Sequence, residues 1–191
     1  MPRSHRTALF AVPVAVIWLV AMVLAFWWFE ARYLRPFSDR TTLFDGTELH
    51  LPAGLAGPGR IRLVHFQDPA CPCNVGNQQH LAELTARYSI RGVSFYVVHK
   101  PGMEGAQADA TSGLQPLIGL EGSDKLPASP AVAIWDQRGE LAYFGPYSSG
   151  FTCTSGNSFI EPVLDALLDG RRVVANNNLA SGCFCDWAKL Q

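Results

Sequence analysis

A long uncharged apolar segment near the N-terminus constrains this chain more than any other feature. Residues 8–29 (ALFAVPVAVIWLVAMVLAFWWF) are long enough to cross the hydrocarbon core of a bilayer as one helix. Pro13 lies in the first half of this segment, where a membrane helix tolerates proline. The sequence therefore predicts one transmembrane helix, in contact with lipid over residues 8–29.

The charged side chains around this segment predict its orientation. Arg3 and Arg6 precede it without an acidic residue, whereas Glu30 partly offsets the basic residues that follow. By the positive-inside rule, residues 1–7 are cytoplasmic and the rest of the chain faces outward. We therefore expect a single-pass protein of a bacterial inner membrane whose C-terminal domain is periplasmic.

Two interpretations of the apolar segment compete, an uncleaved signal anchor and a cleaved signal peptide. The segment is longer than the apolar region of a usual signal peptide, and no convincing small-x-small cleavage site follows it. It ends in Trp27, Trp28 and Phe29, and such aromatic residues are typical of a membrane interface. These features favour the signal anchor.

The rest of the chain has the length of about one domain. Residues 36–191 contain 11 Lys or Arg and 15 Asp or Glu residues, a formal charge of −4. They have no basic stripe, phosphate-binding glycine loop or HExxH-type zinc motif, so we expect neither nucleic acid nor a cofactor. We predict a linker over residues 30–41, a folded domain over residues 42–170 and a C-terminal tail over residues 171–191.

Five cysteines follow the apolar segment, as two Cys-x-Cys pairs and one single residue. In an oxidising compartment disulfides form and persist, so cysteines there are rarely without a role. Because the number is odd, at least one thiol is free, transiently paired or bonded to another chain. The five residues are Cys71, Cys73, Cys153, Cys183 and Cys185.

The pattern of apolar residues predicts an α/β architecture with a mixed sheet. Residues 61–67, 93–99 and 131–135 are strands that are apolar on both faces, and residues 140–144 form a hairpin with the third. Residues 74–88 have helical spacing, an irregular helix precedes the hairpin, and a last apolar stripe predicts a further helix. This stripe contains Ile160, Val163, Leu164, Leu167 and Leu168.

This order of elements, with VHFQDPACPCN at the first strand-to-helix turn and SPAVAIWDQRGEL at the hairpin, resembles the thioredoxin superfamily. The anchor and the upstream LFDGTELHLP resemble membrane-tethered periplasmic thioredoxin-like reductases. The resemblance covers residues 42–170 and implies a thioredoxin-like fold with a mixed central sheet flanked by helices. It also implies a cis peptide bond between Ser129 and Pro130, beside the active-site cysteines, where the substrate is held.

One departure from this family concerns the cysteine pair, because one residue, Pro72, stands where the family has two. By its position Cys71 matches the nucleophilic thiol, and Cys73 comes one residue early for its partner. Residues two positions apart in a helix point about 200° apart, so the sulfurs of Cys71 and Cys73 could not meet if both residues were helical. Cys71 must therefore lie in the turn before the helix. Pro72 then suits the first helical position, and Cys73 enters the first turn, where backbone N–H groups stabilise a thiolate.

A disulfide between Cys71 and Cys73 would close a small ring. Departure from relaxed geometry makes such a bond easier to reduce, so we expect a comparatively oxidising couple. His65 lies where the family has a buried acid that exchanges a proton with the resolving thiol. It is interpreted equally well as a proton carrier near neutral pH or as a core histidine bonded to backbone.

The resemblance assigns no role to the tail, and three interpretations of its cysteines remain open. Cys183 and Cys185 could be a second dithiol that relays electrons to the first pair. Cys153 could be tied to the tail by a structural disulfide. The thiols could also hold a metal, since thiolates suit copper(I) and zinc.

We predict a membrane-tethered thiol–disulfide oxidoreductase, a reductase or an isomerase. Cys71 attacks a protein disulfide, Cys73 resolves the mixed disulfide, and Pro72, Ser129 and Pro130 contact the substrate. The partners are a protein thiol or disulfide and a membrane or periplasmic redox protein. The alternatives are a copper or other metal chaperone and a non-catalytic scaffold whose disulfides are structural. For the chaperone, the candidate histidine ligands are His65, His80 and His99.

Overall fold

The N-terminal part of the chain is one long helix. The structure, a computed structural model, describes residues 4–38, 44–102, 113–150 and 152–187. It divides into two compact units, Met1–Leu34 and Arg35–Gln191. Helix α1 (Ser4–Tyr33) forms the first unit, and its Ala11–Tyr33 portion, with a mean hydropathy of 2.3, is long and apolar enough to cross a membrane.

The second unit is built on a six-stranded mixed sheet with the strand order β4-β3-β2-β6-β7-β8. Two small two-stranded sheets, β1 with β9 and β5 with β10, accompany it. The elements after α1 are β1 (Leu34–Pro36), β2 (Ile61–Gln67), α2 (Val75–Tyr88), β3 (Val93–His99), β4 (Gln115–Pro116), β5 (Ala128–Ser129), β6 (Ala131–Trp135), β7 (Leu141–Gly145), α3 (Ile160–Leu168), β8 (Ala175–Asn176), β9 (Ser181–Cys183) and β10 (Cys185–Asp186).

The central four strands have the order and polarity of the thioredoxin fold. In the order β7-β6-β2-β3, β2 and β3 are parallel, and β6 is antiparallel to both of its neighbours. Helix α2 follows β2 directly except for the cysteine turn, and the hairpin β6-β7 leads to α3. The predicted fold class, a thioredoxin-like mixed sheet flanked by helices and preceded by an apolar helix, is confirmed.

Two apolar layers cover the faces of this sheet. Its central strands are therefore buried on both faces, as their sequences predict. On one face, Leu63 and Ile134 pack in a cluster with α2 and α3. On the other face, Val64 and Phe66 pack with residues from the two ends of the second unit, such as Phe37 and Phe184. Among the described residues the tail therefore serves as part of the second layer, where a helix was expected.

The differences from the sequence-based elements are local. The helix predicted from residue 74 begins as a 3-10 turn, Pro72–Asn74, before α2. The irregular helix expected before the hairpin falls partly on residues 103–112, outside the described residues. The described part there contains β4, β5 and a 3-10 turn, Ser123–Lys125.

Replacing Leu164 by Ala should destabilise the fold strongly, because Leu164 on α3 is fully buried in the cluster with α2. We expect a loss of about 2–5 kcal/mol in the free energy of unfolding, measured by denaturant titration of the full chain in detergent micelles. Asp165→Ala is the matched control on the same helix. It removes a half-exposed ion pair with Arg91, so its cost should stay below about 1 kcal/mol. Equal losses in the two variants would contradict the assigned packing of α3.

Candidate functional site: two nested disulfides

Four of the five cysteines form two disulfides that join the start of α2 to the tail. Cys71 is bonded to Cys185 and Cys73 to Cys183, with Cα–Cα distances of 5.9 and 5.5 Å. The expected Cys71–Cys73 bond is therefore not the one formed, because the tail supplies each thiol with a partner of its own. The small-ring argument for an oxidising couple does not apply to these bonds. Cys153 is buried and free, so the interpretation that tied it to the tail is wrong.

The turn that carries Cys71 has the predicted conformation. Cys71 is extended, Pro72 is the first residue of the 3-10 turn, and Cys73 lies within it. The backbone carbonyl of Asp68 accepts hydrogen bonds from the Cys71 N–H, at 2.9 Å, and from the Asn74 side-chain amide, at 2.6 Å. These bonds fix the turn independently of the disulfides.

The tail is held at the site by a strand pair and a buried indole. Strand β10 pairs antiparallel with β5, so that Cys185 lies opposite Ser129. Trp187 is fully buried, stands edge-on to Phe66 with ring centroids 5.9 Å apart, and donates from Nε1 to the Ser123 carbonyl. A large aromatic side chain buried with its N–H paired is a strong anchor.

A lysine links the cysteine turn to the tail. Lys100, just after β3, donates from Nζ to Oδ2 of Asp68 at 2.9 Å and to the Asp186 carbonyl at 2.7 Å. Asp68 is itself buried, so this charge-assisted bond is shielded from water better than a surface ion pair. No sequence pattern indicated this contact, because the three residues are far apart along the chain.

The peptide bond between Ser129 and Pro130 is cis, as the family resemblance implies. The Cys71 sulfur lies 3.9 Å from the Ser129 carbonyl oxygen. A bonded sulfur carries no hydrogen, so this is a contact and not a hydrogen bond. The structure thus brings together Cys71, Pro72, Cys73, Ser129 and Pro130, and it adds the tail cysteines to them.

The two disulfides differ in their exposure. Cys185 is partly exposed and Pro72 is exposed, whereas Cys73 and Cys183 are buried. The Cys71–Cys185 bond is therefore the outer one, and the Cys73–Cys183 bond is the inner one. The sulfur atoms of Cys71, Cys73 and Cys185 all lie within 4.8 Å of one another. Among the described residues, no histidine joins this sulfur group.

His65 is buried on the opposite side of β2 from Phe66, and its Nδ1 lies 2.9 Å from the Tyr147 hydroxyl. Burial and the nearby His99 lower the pKa of His65 to about 4, against a backbone hydrogen bond to Ala131. The ring is consequently neutral near neutral pH. Of the two interpretations of His65, this environment supports the core histidine.

A second buried histidine has the opposite character and was missed as a charged group by the sequence analysis. The Nε2 atom of His80, on α2, lies 3.4 Å from Oε1 of Glu161 and 3.2 Å from the Ser158 hydroxyl oxygen. Burial lowers the pKa of His80, but hydrogen bonds to Cys153 and Glu161 outweigh it and raise the pKa to about 9. His80 is therefore an imidazolium paired with Glu161 beneath the cysteine site. Its partners on the loop and on α3 follow no sequence spacing that could have identified them.

Comparisons with known proteins agree with this fold. The profile of a family described as Domain of unknown function (DUF6436) matches residues 40–187. A hypothetical protein from Sinorhizobium meliloti 1021 has a similar structure, with 17% identity over 83% of this chain and 96% of that one, and a TM-score of 0.53. The solution structure of a thioredoxin-like protein in the oxidized form is 15% identical over 73% of this chain and 98% of that one, with a TM-score of 0.45. No curated protein matches the chain.

Peptide mapping should recover the nested connectivity. We expect non-reducing digestion with tandem mass spectrometry to give Cys71–Cys185 and Cys73–Cys183, with Cys153 as the thiol that alkylates after denaturation. Backbone fragmentation at Pro72 and Phe184 separates the neighbouring cysteines. A Cys71–Cys73 bond, or a bond to Cys153, in the freshly isolated oxidised chain would contradict this site.

The His80–Glu161 pair should make stability depend on alkaline pH. The folded pKa of His80, about 9, lies above its ordinary value of 6.5, so the stabilisation is complete below pH 6.5 and is lost as pH rises through 9. The loss is at most about 3 kcal/mol. We expect the midpoint of thermal unfolding to fall between pH 7 and pH 9.5, and His80→Gln to flatten this dependence. An unchanged slope in that variant would remove the imidazolium assignment.

Proposed function

This chain belongs to the family described as Domain of unknown function (DUF6436), and we propose that it is a membrane-tethered thiol–disulfide oxidoreductase. The observation that carries the proposal is the nested pairing of the Cys71/Cys73 turn with Cys183 and Cys185. Both disulfides lie at the start of α2 in a thioredoxin-like fold. At that place backbone N–H groups stabilise a leaving thiolate.

Mechanical stapling explains the first of the two bonds better than the second. A first disulfide between residues 114 positions apart constrains the unfolded chain by roughly the 4.7 kcal/mol expected for a loop of about 100 residues. The second bond then closes a ring of only a few residues, for which the same relation gives about 2 kcal/mol. One bond would hold the tail. The second adds capacity for two more electrons, which supports a redox role over a scaffold.

The first step takes place at the outer bond. A thiolate of a reducing partner attacks the sulfur of Cys185, which is the partly exposed atom, and Cys71 leaves as a thiolate at the helix start. A second thiolate of the partner then displaces Cys185. The partner departs as a disulfide, and the chain has gained two electrons as the Cys71 and Cys185 thiols.

The inner bond is reached by internal exchange. The sulfurs of Cys71 and Cys73 lie within 4.8 Å, so the Cys71 thiolate can attack Cys73 and release Cys183 as a thiolate. This step conserves electrons, since one disulfide is replaced by another. The tail thus acts as the relay dithiol, and the Cys71–Cys73 bond is an intermediate of exchange.

Cys71 reacts as a free thiolate either after the first reduction, before the internal exchange, or after a second pair of partner thiols has reduced the Cys71–Cys73 bond and departed as a disulfide. It attacks a client disulfide, one client sulfur leaves as a thiolate, and Cys185, or Cys73 after the second reduction, resolves the mixed disulfide and releases the other client thiol. We assign the client segment to the edge of β5 beside Pro130, with Pro72 as a further contact. In the oxidised chain this edge is paired with β10, where Cys185 lies opposite Ser129 and is bonded to Cys71. The tail therefore stands in the place that a mixed-disulfide client would take.

The anchor gives the proposal its location. The apolar Ala11–Tyr33 portion of α1 and the basic residues before it support an inner-membrane protein whose second unit is periplasmic. Disulfides persist in that compartment. Turnover requires a membrane or periplasmic thiol protein as redox partner and a protein disulfide or dithiol as client.

Cys71→Ser should abolish exchange in the reduced full chain held in detergent micelles. The assay measures the reduction of a fluorescence-quenched glutathione disulfide, and the rate should fall to that of a chain with all five cysteines replaced. Cys153→Ser is the matched control because it removes a buried thiol outside both disulfides. Its rate should equal that of the natural chain. If Cys71→Ser and Cys153→Ser react equally fast, the proposed function is wrong.

A further inference from the structure

The cysteine site contains a group of three sulfur atoms that is compact enough to surround one metal ion. The sulfurs of Cys71, Cys73 and Cys185 all lie within 4.8 Å of one another, and Cys183 lies outside this group. Two of the three are in the turn before α2, and the third is on β10. Reduction of both disulfides would free four thiols, three of which belong to this group.

This grouping does not depend on the disulfides alone. Trp187 is fully buried, Phe184 packs against Phe37 with centroids 5.3 Å apart, and β10 pairs with β5 as long as no client occupies that edge. Lys100 also binds both the turn and the tail. These contacts keep Cys185 beside the turn when the bonds are reduced, so the thiols remain preorganised.

We propose that the reduced chain binds one copper(I) ion through the thiolates of Cys71, Cys73 and Cys185. Soft sulfur ligands favour copper(I), whereas magnesium and calcium require oxygen ligands. Zinc in structural sites takes four ligands in a closed tetrahedron, and three converging sulfurs leave one position open. The backbone N–H groups at the start of α2 stabilise the negative charge of the ligands.

Copper binding and disulfide exchange exclude each other at this site. The oxidised chain has no free thiolate in the group, so it provides no ligands of this kind. The bound ion in turn occupies the sulfur of Cys71, the proposed nucleophile. The inference rests on the proposed function in one respect, since both require that the disulfides can be reduced in the folded chain.

The test uses the full chain in detergent micelles, fully reduced and freed of reductant without oxygen. Copper(I) is titrated against the chromophoric chelator bathocuproine disulfonate, which reports the metal that the protein removes. We expect one equivalent per reduced chain and none at this site in the oxidised chain. Alkylation of the natural chain should show Cys71, Cys73 and Cys185 protected by the metal and Cys183 less protected.

Substitutions identify the ligands. Loss of an outer contact to a metal ligand already costs 10–100-fold in affinity, so Cys73→Ser and Cys185→Ser should each weaken copper binding by at least about tenfold. Cys183→Ser and Cys153→Ser should leave the affinity within about twofold. The thermal midpoint of each reduced variant shows whether it is folded, and the protection pattern of the natural chain requires no substitution.

Three outcomes would overturn the proposal: no copper retained by the reduced chain, equal retention by the oxidised chain, or a loss in Cys183→Ser as large as in Cys185→Ser. The last result would indicate a four-thiolate site of the kind that zinc prefers. The disulfide-exchange rate is measured on the same preparations. Normal exchange without copper binding removes the metal site alone, and copper binding without exchange removes the proposed enzyme function alone.

Discussion

The covalent connection between the start of α2 and the tail determines the arrangement of the second unit. Phe184 and Trp187 belong to the layer that covers the Val64 and Phe66 face of the sheet. The disulfides on either side of Phe184 hold that layer in place. A redox change at the cysteines therefore acts on the segment that also completes the apolar core. Chemistry at the site and packing of the fold are coupled through the same seven residues, 181–187.

Two buried histidines show how their surroundings give one side chain opposite charge states. His65 is bordered by the Tyr147 hydroxyl and the backbone of Ala131, and it remains neutral because burial and the nearby His99 both disfavour its charged form. His80 is also buried, but hydrogen bonds to Cys153 and Glu161 keep its ring protonated. The groups that each imidazole ring contacts, and not burial alone, therefore decide whether that histidine is charged.

The sequence predicts much of the fold and only half of the site. The bounds of β2, β3 and β6 follow from short runs in which apolar and β-branched residues dominate, because strands in the middle of a covered sheet leave that pattern. The turn at Cys71 follows from the stereochemistry of proline. The tail, in contrast, is held by isolated aromatic contacts and by pairing with β5, and neither leaves a periodic pattern. The connectivity of the cysteines depends on that docking, so sequence spacing could not provide it.

The buried position of Cys153 has a consequence for how the molecule meets other proteins. In the oxidised chain four of the five cysteines are in disulfides, and the remaining thiol is enclosed beside α2. Such a chain presents an electrophilic sulfur to its surroundings but no nucleophilic one. Two oxidised copies of the chain therefore cannot crosslink to each other by disulfide exchange. Exchange at the site must be started by a thiolate that another molecule brings.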